Sequence, residues 1–318
     1  MKFLEKLYFH KYQINLKPVD YINLPPNKGS TFRGVFGYAL RKFICPVKRT
    51  DCDECILKYR CVYSTTFETP IPDEHPFSKK YKNIPPPYLI EPPATNKLHF
   101  IEKDMISFNL ITIGKADEYL PYFVMVLKEM EKKGIGRGRG KFEIMSIESV
   151  SNDGSKIVIY DNSNQFLKIS SNKIDINCFN SEKLNVEEIS LIIETPLRLK
   201  VGNRLTSEIP FNILALRLLE RAFLLAHFHC DAKIEDYKNY LDGAEGIEVT
   251  NADLHWSDWE RYSSRQDTKM KLGGLVGKIT YSGDLLKFLT LLRFGENLHV
   301  GKATTFGNGK YRINNEEV

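Results

Sequence analysis

An α+β fold made of two related halves is what the 318-residue sequence predicts. Each half ends with an amphipathic helix, a glycine-rich loop and a short strand, and the two closing segments match: Gly138–Ile144 reads GRGKFEI and Gly307–Ile313 reads GNGKYRI. The apolar periodicities that precede these segments also follow one order in both halves. Hydrophobic residues make up 42% of the chain, which is enough for a packed core.

The first half is predicted to run strand, helix, two middle strands, helix and strand. Ser30 is the expected N-cap of the first helix, which is predicted to end near Phe43. The predicted strands are Lys6–Leu16, residues 88–90 after Pro85–Pro87, Met105–Ile113 and Phe142–Val150, and the second helix has its apolar face at 120–130. A β-hairpin expected over residues 156–170 extends this half.

The second half repeats this order. Ser207 is the expected cap of a long helix that reaches His229, with Pro210 in its first turn. The other predicted elements are the strands Ile189–Leu199, Leu272–Tyr281 and Lys310–Ile313 and the helix Asp284–Arg293. Two tandem ferredoxin-like βαββαβ domains explain the repeated order. The first is predicted to cover residues 1–185 and the second residues 186–318.

Charge and hydropathy exclude some classes of protein. The net charge of +5 is a mild excess that does not by itself indicate nucleic acid. Residues 209–229 form the most apolar segment, but arginine and glutamate residues interrupt it well short of the roughly 18 apolar residues needed to span a bilayer. Residues 1–10 carry charge and lack the apolar run of a signal peptide. We therefore expect a cytoplasmic protein without a membrane partner.

Four cysteines lie close together in the first half, with the spacing Cys45-x6-Cys52-x2-Cys55-x5-Cys61. In a chain without an export signal, this spacing favours metal over disulfides. Four thiolates can hold one structural Zn²⁺ or an iron–sulfur cluster, and we favour zinc. The predicted role is to fix an insertion at residues 44–68, followed by a proline-rich stretch. Four unligated thiols are the alternative.

The two glycine-rich loops carry cations that suit phosphate. Backbone N–H groups freed by glycine can bind phosphate oxygens, and basic side chains add to them. The first loop, at 134–141, contributes Arg137, Arg139 and Lys141, and the second, at 301–310, contributes Lys302 and Lys310. The first loop follows a helix and precedes a strand, which is the wrong order for a dinucleotide-binding motif. Tight turns between helix and strand are the alternative explanation for the glycines.

The segment His299–Tyr311 (HVGKATTFGNGKY) resembles the C-terminal glycine-rich signature of the RAMP superfamily. It resembles most closely the CRISPR repeat-cleaving endoribonucleases of that superfamily. Further segments fit the same family: Phe32–Leu40, the cysteine cluster ending in Thr66–Glu68, Pro85–Pro87, Arg261–Gln266 and Lys271–Gly277. The resemblance therefore extends over most of the chain.

The resemblance implies a protein that binds the repeat of a CRISPR precursor RNA and cuts it once per repeat. In that family the ribose 2′-OH attacks the adjacent phosphate and leaves a 2′,3′-cyclic phosphate and a 5′-OH, without a metal or other catalytic cofactor. The implied partner is CRISPR repeat RNA, with subunits of a CRISPR effector complex as further partners. A monomer or a homodimer is compatible with this function.

That reaction needs a base, an acid and a cation for the phosphate charge. His299 is the leading candidate for base or acid because an imidazole titrates near neutral pH, and Lys302 is the candidate cation. A structural role at a helix end is the alternative for His299. Tyr38 is the second candidate, at a place where many members of the family have a histidine. A tyrosine can orient the 2′-OH, but its ordinary pKa makes it a poor base.

Other basic residues are predicted to bind RNA. Arg261, Arg265, Lys269 and Lys271 form a basic stretch with interleaved polar and aromatic residues, a composition that suits single-stranded or hairpin RNA. An ordinary solvated hairpin is the alternative. Arg33 either contacts phosphate or supports its own helix.

Two other functions remain open from the sequence. The first is a non-catalytic RAMP subunit that holds guide RNA in an effector complex. The second is a metal-stapled scaffold for protein partners. Cleavage in EDTA distinguishes the endoribonuclease from the subunit, and salt-sensitive RNA binding distinguishes both from the scaffold.

Overall fold

The computed structural model describes residues 1–48, 51–164, 166–168, 171–179, 187–202, 204–263 and 268–314, without the side chains of 261–263 and 268–271. The chain forms two compact units. The N-terminal unit comprises residues 8–174 and 228–230, and the C-terminal unit comprises 1–7, 175–227 and 231–318. The predicted boundary at residues 185 and 186 lies outside the described residues.

The N-terminal unit contains two long helices and a six-stranded sheet. Its helices are α1 (Gly29–Ile44) and α2 (Leu120–Lys133). Its strands are β1 (Tyr8–Pro18), β2 (Ile22–Asn23), β3 (Tyr88–Glu91), β4 (His99–Phe100), β5 (Ile106–Ile113), β6 (Phe142–Val150), β7 (Lys156–Asp161) and β8 (Lys173–Asp175). Short 3₁₀ or π turns lie at Cys52–Glu54, Ser64–Glu68 and Gly114–Tyr119.

The main sheet of this unit has the order β3-β5-β1-β6-β7, and β8 also pairs with β1. The pairs β3–β5, β5–β1 and β1–β6 are all antiparallel. In chain order these strands are the second, third, first and fourth of a βαββαβ unit, which is the ferredoxin-like arrangement. The strand β7 extends the sheet by pairing with β6, and a single bridge joins Tyr160 to Leu167 in the described part of the hairpin predicted at 156–170.

The core of the N-terminal unit forms between this sheet and the two helices. Phe32 and Phe36, four residues apart on α1, are almost completely buried. Phe32 packs on Phe108 of β5, and Phe36 packs on Phe123 of α2. Since residues four apart share one face of a helix, the opposite face of α1 is left to solvent.

The start of α1 differs from the prediction. The helix begins at Gly29, and Lys28 is its N-cap, without a capping side-chain hydrogen bond. Ser30 therefore lies within the first turn, and its prediction as the cap was wrong. The side chain of Lys28 points away from the helix end, and its Nζ donates a hydrogen bond to the carbonyl oxygen of Thr95 at 2.7 Å.

The C-terminal unit also combines two long helices with an antiparallel sheet. Its helices are α3 (Phe211–His229, with 228–229 grouped in the other unit) and α4 (Leu286–Leu298). Its strands are β9 (Glu188–Leu197), β10 (Lys200–Val201), β11 (Arg204–Leu205), β12 (Glu248–Ser257), β13 (Glu260–Ser263), β14 (Thr268–Lys271), β15 (Gly274–Ser282) and β16 (Tyr311–Ile313). Short 3₁₀ helices lie at Lys2–Glu5, Ile176–Phe179, Tyr237–Leu241, Ala244–Gly246 and Thr304–Phe306.

The main sheet of the C-terminal unit has the order β12-β15-β9-β16. This is again the second, third, first and fourth strand of a βαββαβ unit, and every pair is antiparallel. The predicted α+β fold of two tandem ferredoxin-like domains is confirmed. As for Ser30, the cap prediction for Ser207 was wrong, because α3 begins only at Phe211, directly after Pro210.

The sequence did not predict β12. The strand pairs with β15 on one side only, and most of its side chains are exposed, so its sequence lacks the apolar alternation of a half-buried strand. His255 and Trp256 lie in this strand. No helix among the described residues is both long and apolar enough to cross a membrane.

Candidate nucleic-acid interface and active site

Tyr38 lies on the solvent side of α1. Its neighbours Gly37 and Ala39 are buried, whereas the Tyr38 side chain is 56% exposed. Gly37 is required here, because a Cβ at this position would lie only 2.5 Å from the ring of Phe67. Gly37 thus allows α1 to approach Phe67 closely, and the phenol of Tyr38 lies in solvent.

Lys133 in the last turn of α2 contacts Tyr38. Its ammonium nitrogen lies 3.0 Å from the centre of the Tyr38 ring. The ammonium group of Lys133 lowers the pKa of the Tyr38 phenol, and the charges of Lys42 and Arg139 add to this effect. The ordinary pKa of a tyrosine makes it a poor base, but the cations around Tyr38 stabilise its phenolate.

The first glycine loop, residues 134–141, is built by close backbone contacts. Gly134 ends α2 with a φ of 73°, and a Cβ there would collide with the carbonyl oxygen of Arg139. The Arg137 N–H donates to the carbonyl oxygen of Asn23 at 2.8 Å. Glycine is needed where the chain has this left-handed backbone at such close range.

The three basic side chains of this loop point into solvent. Arg137, Arg139 and Lys141 are all exposed, and among the described residues none of them forms an ion pair. Arg139 is also near enough to Tyr38 to lower its pKa. The N-terminal unit therefore brings Tyr38, Lys133 and Arg139 near one another, and the loop that carries Arg139 also exposes Arg137 and Lys141.

The second glycine loop is packed tightly. His299 ends α4 with a φ of 57° and is completely buried, and its Nδ1 lies 3.2 Å from the carbonyl oxygen of Asn308. With a ψ of 171°, this residue lies outside the left-handed helical region that histidine tolerates and in a region almost confined to glycine, so the packing of the loop must hold it there. A base must come within hydrogen-bond reach of the 2′-OH, so the burial of His299 favours the structural alternative left open by the sequence.

The two lysines of the second loop differ. Lys302 is exposed, and its backbone N–H donates to the carbonyl oxygen of Arg198 at 3.1 Å. The Lys310 Nζ lies 3.5 Å from a carboxylate oxygen of Glu194. Within this loop, Lys302 is therefore the better placed of the two for a phosphate contact.

The remaining predicted RNA contacts fall into two groups. The Arg33 guanidinium lies 5.0 Å above the ring of Phe67, and its charge acts on the buried Tyr88 phenol, which favours support of its helix over phosphate binding. The backbones of Arg261, Lys269 and Lys271 form the two-stranded β13–β14 ladder. Their side chains, and all of Arg265, lie outside the described residues.

The cysteine segment lies against α1 through aromatic contacts. Tyr63 stacks on Phe67, with ring centres 5.3 Å apart, and Phe67 in turn packs on Phe36. Burial raises the pKa of the Cys52 thiol, and the nearby Glu68 and the other cysteines Cys61 and Cys45 raise it further.

The four cysteines do not form a metal site in the part of the chain that the structure describes. There, no group of three or more His, Cys, Asp or Glu side chains converges on a common point, and residues 49 and 50 of this segment are outside that part. Zinc at Cys45, Cys52, Cys55 and Cys61 stays a prediction. Elemental analysis of the purified chain tests it.

Sequence reasoning missed Lys133 and Lys42. A lysine in the last turn of a helix is common because it interacts favourably with the helix dipole, so the sequence gave no reason to single out Lys133. The i, i+4 spacing of Tyr38 and Lys42 on α1 was the available signal.

Family models match both parts of the chain. The AF_1859_N model, described as an N-terminal domain, matches residues 7–172. The model of the CRISPR-associated endoribonuclease Cas6 matches residues 191–311. An uncharacterized protein from Archaeoglobus fulgidus is 24% identical over 315 residues, which cover 97% of this chain and 95% of that protein.

Solved structures of Cas6 proteins have the same fold. A Cas6 product complex is 14% identical, with a TM-score of 0.57 over 96% of this chain and 99% of that chain. A Cas6 from Thermus thermophilus is 12% identical, with a TM-score of 0.54 over 97% and 99% of the two chains. A chain of a partial Cas6-RT-Cas1–Cas2 complex is 15% identical with a TM-score of 0.57, but this protein spans only 46% of its length.

The fold is that of a protein with tandem ferredoxin-like domains. The N-terminal-domain model covers more than half of the chain, so the chain belongs to that family. Its second part is similar to the CRISPR-associated endoribonuclease Cas6, whose model matches less than half of the chain.

Proposed function

We propose that this protein cleaves CRISPR precursor RNA within its repeats and that Tyr38 and Lys133 lie at the scissile phosphate. The observation that carries the proposal is the exposed Tyr38 phenol, whose pKa is lowered by Lys133 beside a loop of exposed cations. RNA cleavage by its own 2′-OH needs a proton acceptor and positive charge at one exposed place.

In the proposed reaction, the Tyr38 phenolate accepts the proton of the ribose 2′-OH. The 2′-oxygen forms a bond to the adjacent phosphorus, and the bond from phosphorus to the 5′-oxygen breaks. The 5′-oxygen takes up a proton and leaves as a hydroxyl, so the upstream product ends in a 2′,3′-cyclic phosphate. Lys133 stabilises both the phenolate and the extra negative charge on the phosphate oxygens.

The cations of the first loop bind the flanking phosphates. Arg137, Arg139 and Lys141 are exposed, and their loop lies beside Tyr38. Phosphate contacts fix the position of an RNA strand without reading its sequence. These residues therefore hold the RNA at the reacting phosphate.

The test is cleavage of the repeat RNA from the same genome by the purified chain in EDTA. The proposal predicts cleavage at a single position, with a cyclic-phosphate end on the upstream product. That end is diagnosed by its resistance to phosphatase before acid treatment and its sensitivity afterwards.

Two other outcomes identify the alternatives. Tight, salt-sensitive binding without cleavage identifies a non-catalytic RAMP subunit that holds guide RNA. No RNA binding at low salt contradicts both RNA-dependent functions and leaves the protein-interaction scaffold. Cleavage that requires added divalent metal contradicts the proposed role of Tyr38, because a metal-bound hydroxide then accepts the proton of the 2′-OH.

A further inference from the structure

An exposed pair of rings lies next to the first loop. Tyr21 is 57% exposed, and His99 is exposed as well. The Tyr21 hydroxyl and His99 Nδ1 are hydrogen-bonded at 2.6 Å, the ring centres are 5.7 Å apart, and the planes differ by 13°. The sequence analysis assigned no role to either residue.

The hydrogen bond determines how these rings are arranged. Both bonded atoms lie in the planes of their rings, so two nearly parallel planes are separated by no more than about the 2.6 Å between those atoms. Rings stacked face to face need roughly 3.5 Å between carbon atoms. Tyr21 and His99 therefore meet edge to edge with nearly parallel faces and form one aromatic surface, which we call the Tyr21–His99 plate.

Short strands hold the plate in place. Tyr21 directly precedes β2, and His99 begins β4, to which β2 is paired. The neighbouring side chains Ile22 and Phe100 are buried to 0% and 2% exposure. Successive residues of a strand point to opposite faces, so the rings of Tyr21 and His99 point to solvent while their buried neighbours point into the core. The rings are preorganised, so little side-chain freedom is lost when a ligand binds.

The plate adjoins the cations of the first loop. A Cβ on Gly140 would collide with the Tyr21 carbonyl oxygen, so the loop backbone lies directly on the Tyr21 segment. The N–H groups of Val19 and Asp20 donate to the Lys141 carbonyl oxygen at 2.9 and 3.1 Å. The exposed side chains of the loop thus flank this aromatic surface.

We propose that the Tyr21–His99 plate stacks an unpaired nucleobase of RNA while the first loop binds the adjoining phosphates. Aromatic faces beside a basic groove are the means by which proteins hold single-stranded nucleic acid, since every base has a flat face. The inference rests on the proposed function, because it takes the bound RNA to be the strand that Tyr38 cleaves.

The test uses a short oligoadenylate RNA at low salt, labelled with fluorescein for affinity and carrying 2-aminopurine for stacking. Tyr21→Ala should weaken binding roughly tenfold, the loss expected for one stacked base, and should abolish the quenching of 2-aminopurine. His99→Ala should act in the same direction. Tyr21→Phe keeps the ring and should stay within about threefold of the unchanged protein.

Tyr122→Ala is the matched control, because Tyr122 is 47% exposed at the other end of α2. It should leave affinity and quenching unchanged. Equal affinity of Tyr21→Ala and Tyr122→Ala would overturn the plate, as would a loss that appears only together with a lowered melting temperature.

The stacking role of the Tyr21–His99 plate and the proposed nuclease function can be contradicted independently of each other. If the unchanged protein cleaves repeat RNA in EDTA while Tyr21→Ala retains full affinity and quenching, the plate is wrong and the nuclease stands. If Tyr21→Ala loses affinity and quenching while no variant cleaves, the plate stands and the nuclease is wrong.

Discussion

The two glycine-rich loops have similar sequences and opposite structures. The first loop lies beside Tyr38 and exposes Arg137, Arg139 and Lys141. The second loop buries His299 completely and pairs Lys310 with Glu194. In both loops the glycines allow positive φ angles and close backbone contacts. Only the first loop combines such a backbone with several exposed cations.

The difference shows that a glycine-rich signature identifies a fold more reliably than a site. In the second loop, a Cβ on Gly309 would collide with the carbonyl oxygen of Val300. The same loop donates from Gly309 N–H to the carbonyl oxygen of Pro196 at 3.1 Å. Its glycines thus pack β16 and α4 together, and this requirement holds whatever residue performs the chemistry.

Removal of Lys133 should have the largest effect if the first loop marks the active site. Lys133→Gln should slow single-turnover cleavage by roughly 10²- to 10³-fold, because it removes the charge aimed at the phosphate. It should also shift the rise of rate with pH to higher pH, since the Tyr38 pKa, which Lys133 lowers, then returns toward its ordinary value. A pH–rate profile measures both effects.

Lys132→Gln is the control for this variant. Lys132 is the next residue of α2, and its Nζ pairs with Glu129 at 2.7 Å. Its loss should leave the rate within about twofold, as expected for an exposed ion pair. Equal slowing by both variants would mean that general charge, and not the position of Lys133, matters.

Alanine substitutions at one glycine of each loop compare the two loops by their effect on the free energy of unfolding. Gly138 and Gly309 have φ values of 88° and 72°, so alanine at either costs about 1–2 kcal/mol of left-handed strain. A Cβ on Gly138 meets nothing within 4 Å, whereas one on Gly309 meets backbone. Gly309→Ala should therefore destabilise by about 3 kcal/mol or more, measured by calorimetric melting. Similar losses at both positions would contradict the tight packing of the second loop.

The smallest expected effect is on RNA affinity. Arg137→Gln should weaken binding by about three- to tenfold and reduce the slope of log affinity against log salt by about one, since one phosphate contact is lost. Lys310→Gln should change neither, because Lys310 pairs with Glu194. Fluorescence anisotropy over a range of salt concentrations measures both, and the reverse result would place the RNA on the second loop.

Much of the fold could be predicted from the sequence. The strands β1, β5, β6, β9 and β15 and all four helices have strong apolar periods, and the observed bounds lie within a few residues of the prediction. The strand β12 was missed because it is exposed and paired on one side only, so hydrophobic burial did not shape its sequence.

The candidate site could be predicted only in part. Tyr38 and the cations of the first loop were found because motif and residue type indicate them. Lys133 was not found, because its meeting with Tyr38 depends on how α1 and α2 pack. The burial of His299 was equally invisible, since the histidine lies in the middle of the most recognisable motif and only the packed loop shows where its ring points.

The central claim is that Tyr38, and not His299, takes part in the chemistry. Single-turnover cleavage of repeat RNA in EDTA by Tyr38→Phe and His299→Asn tests it most directly. Asparagine keeps a polar amide at the buried position of the imidazole and has no group that titrates. The account predicts that Tyr38→Phe is slower by about 10²-fold or more with unchanged affinity, and that His299→Asn stays close to the unchanged protein. Full activity of Tyr38→Phe together with an inactive, folded His299→Asn would contradict it.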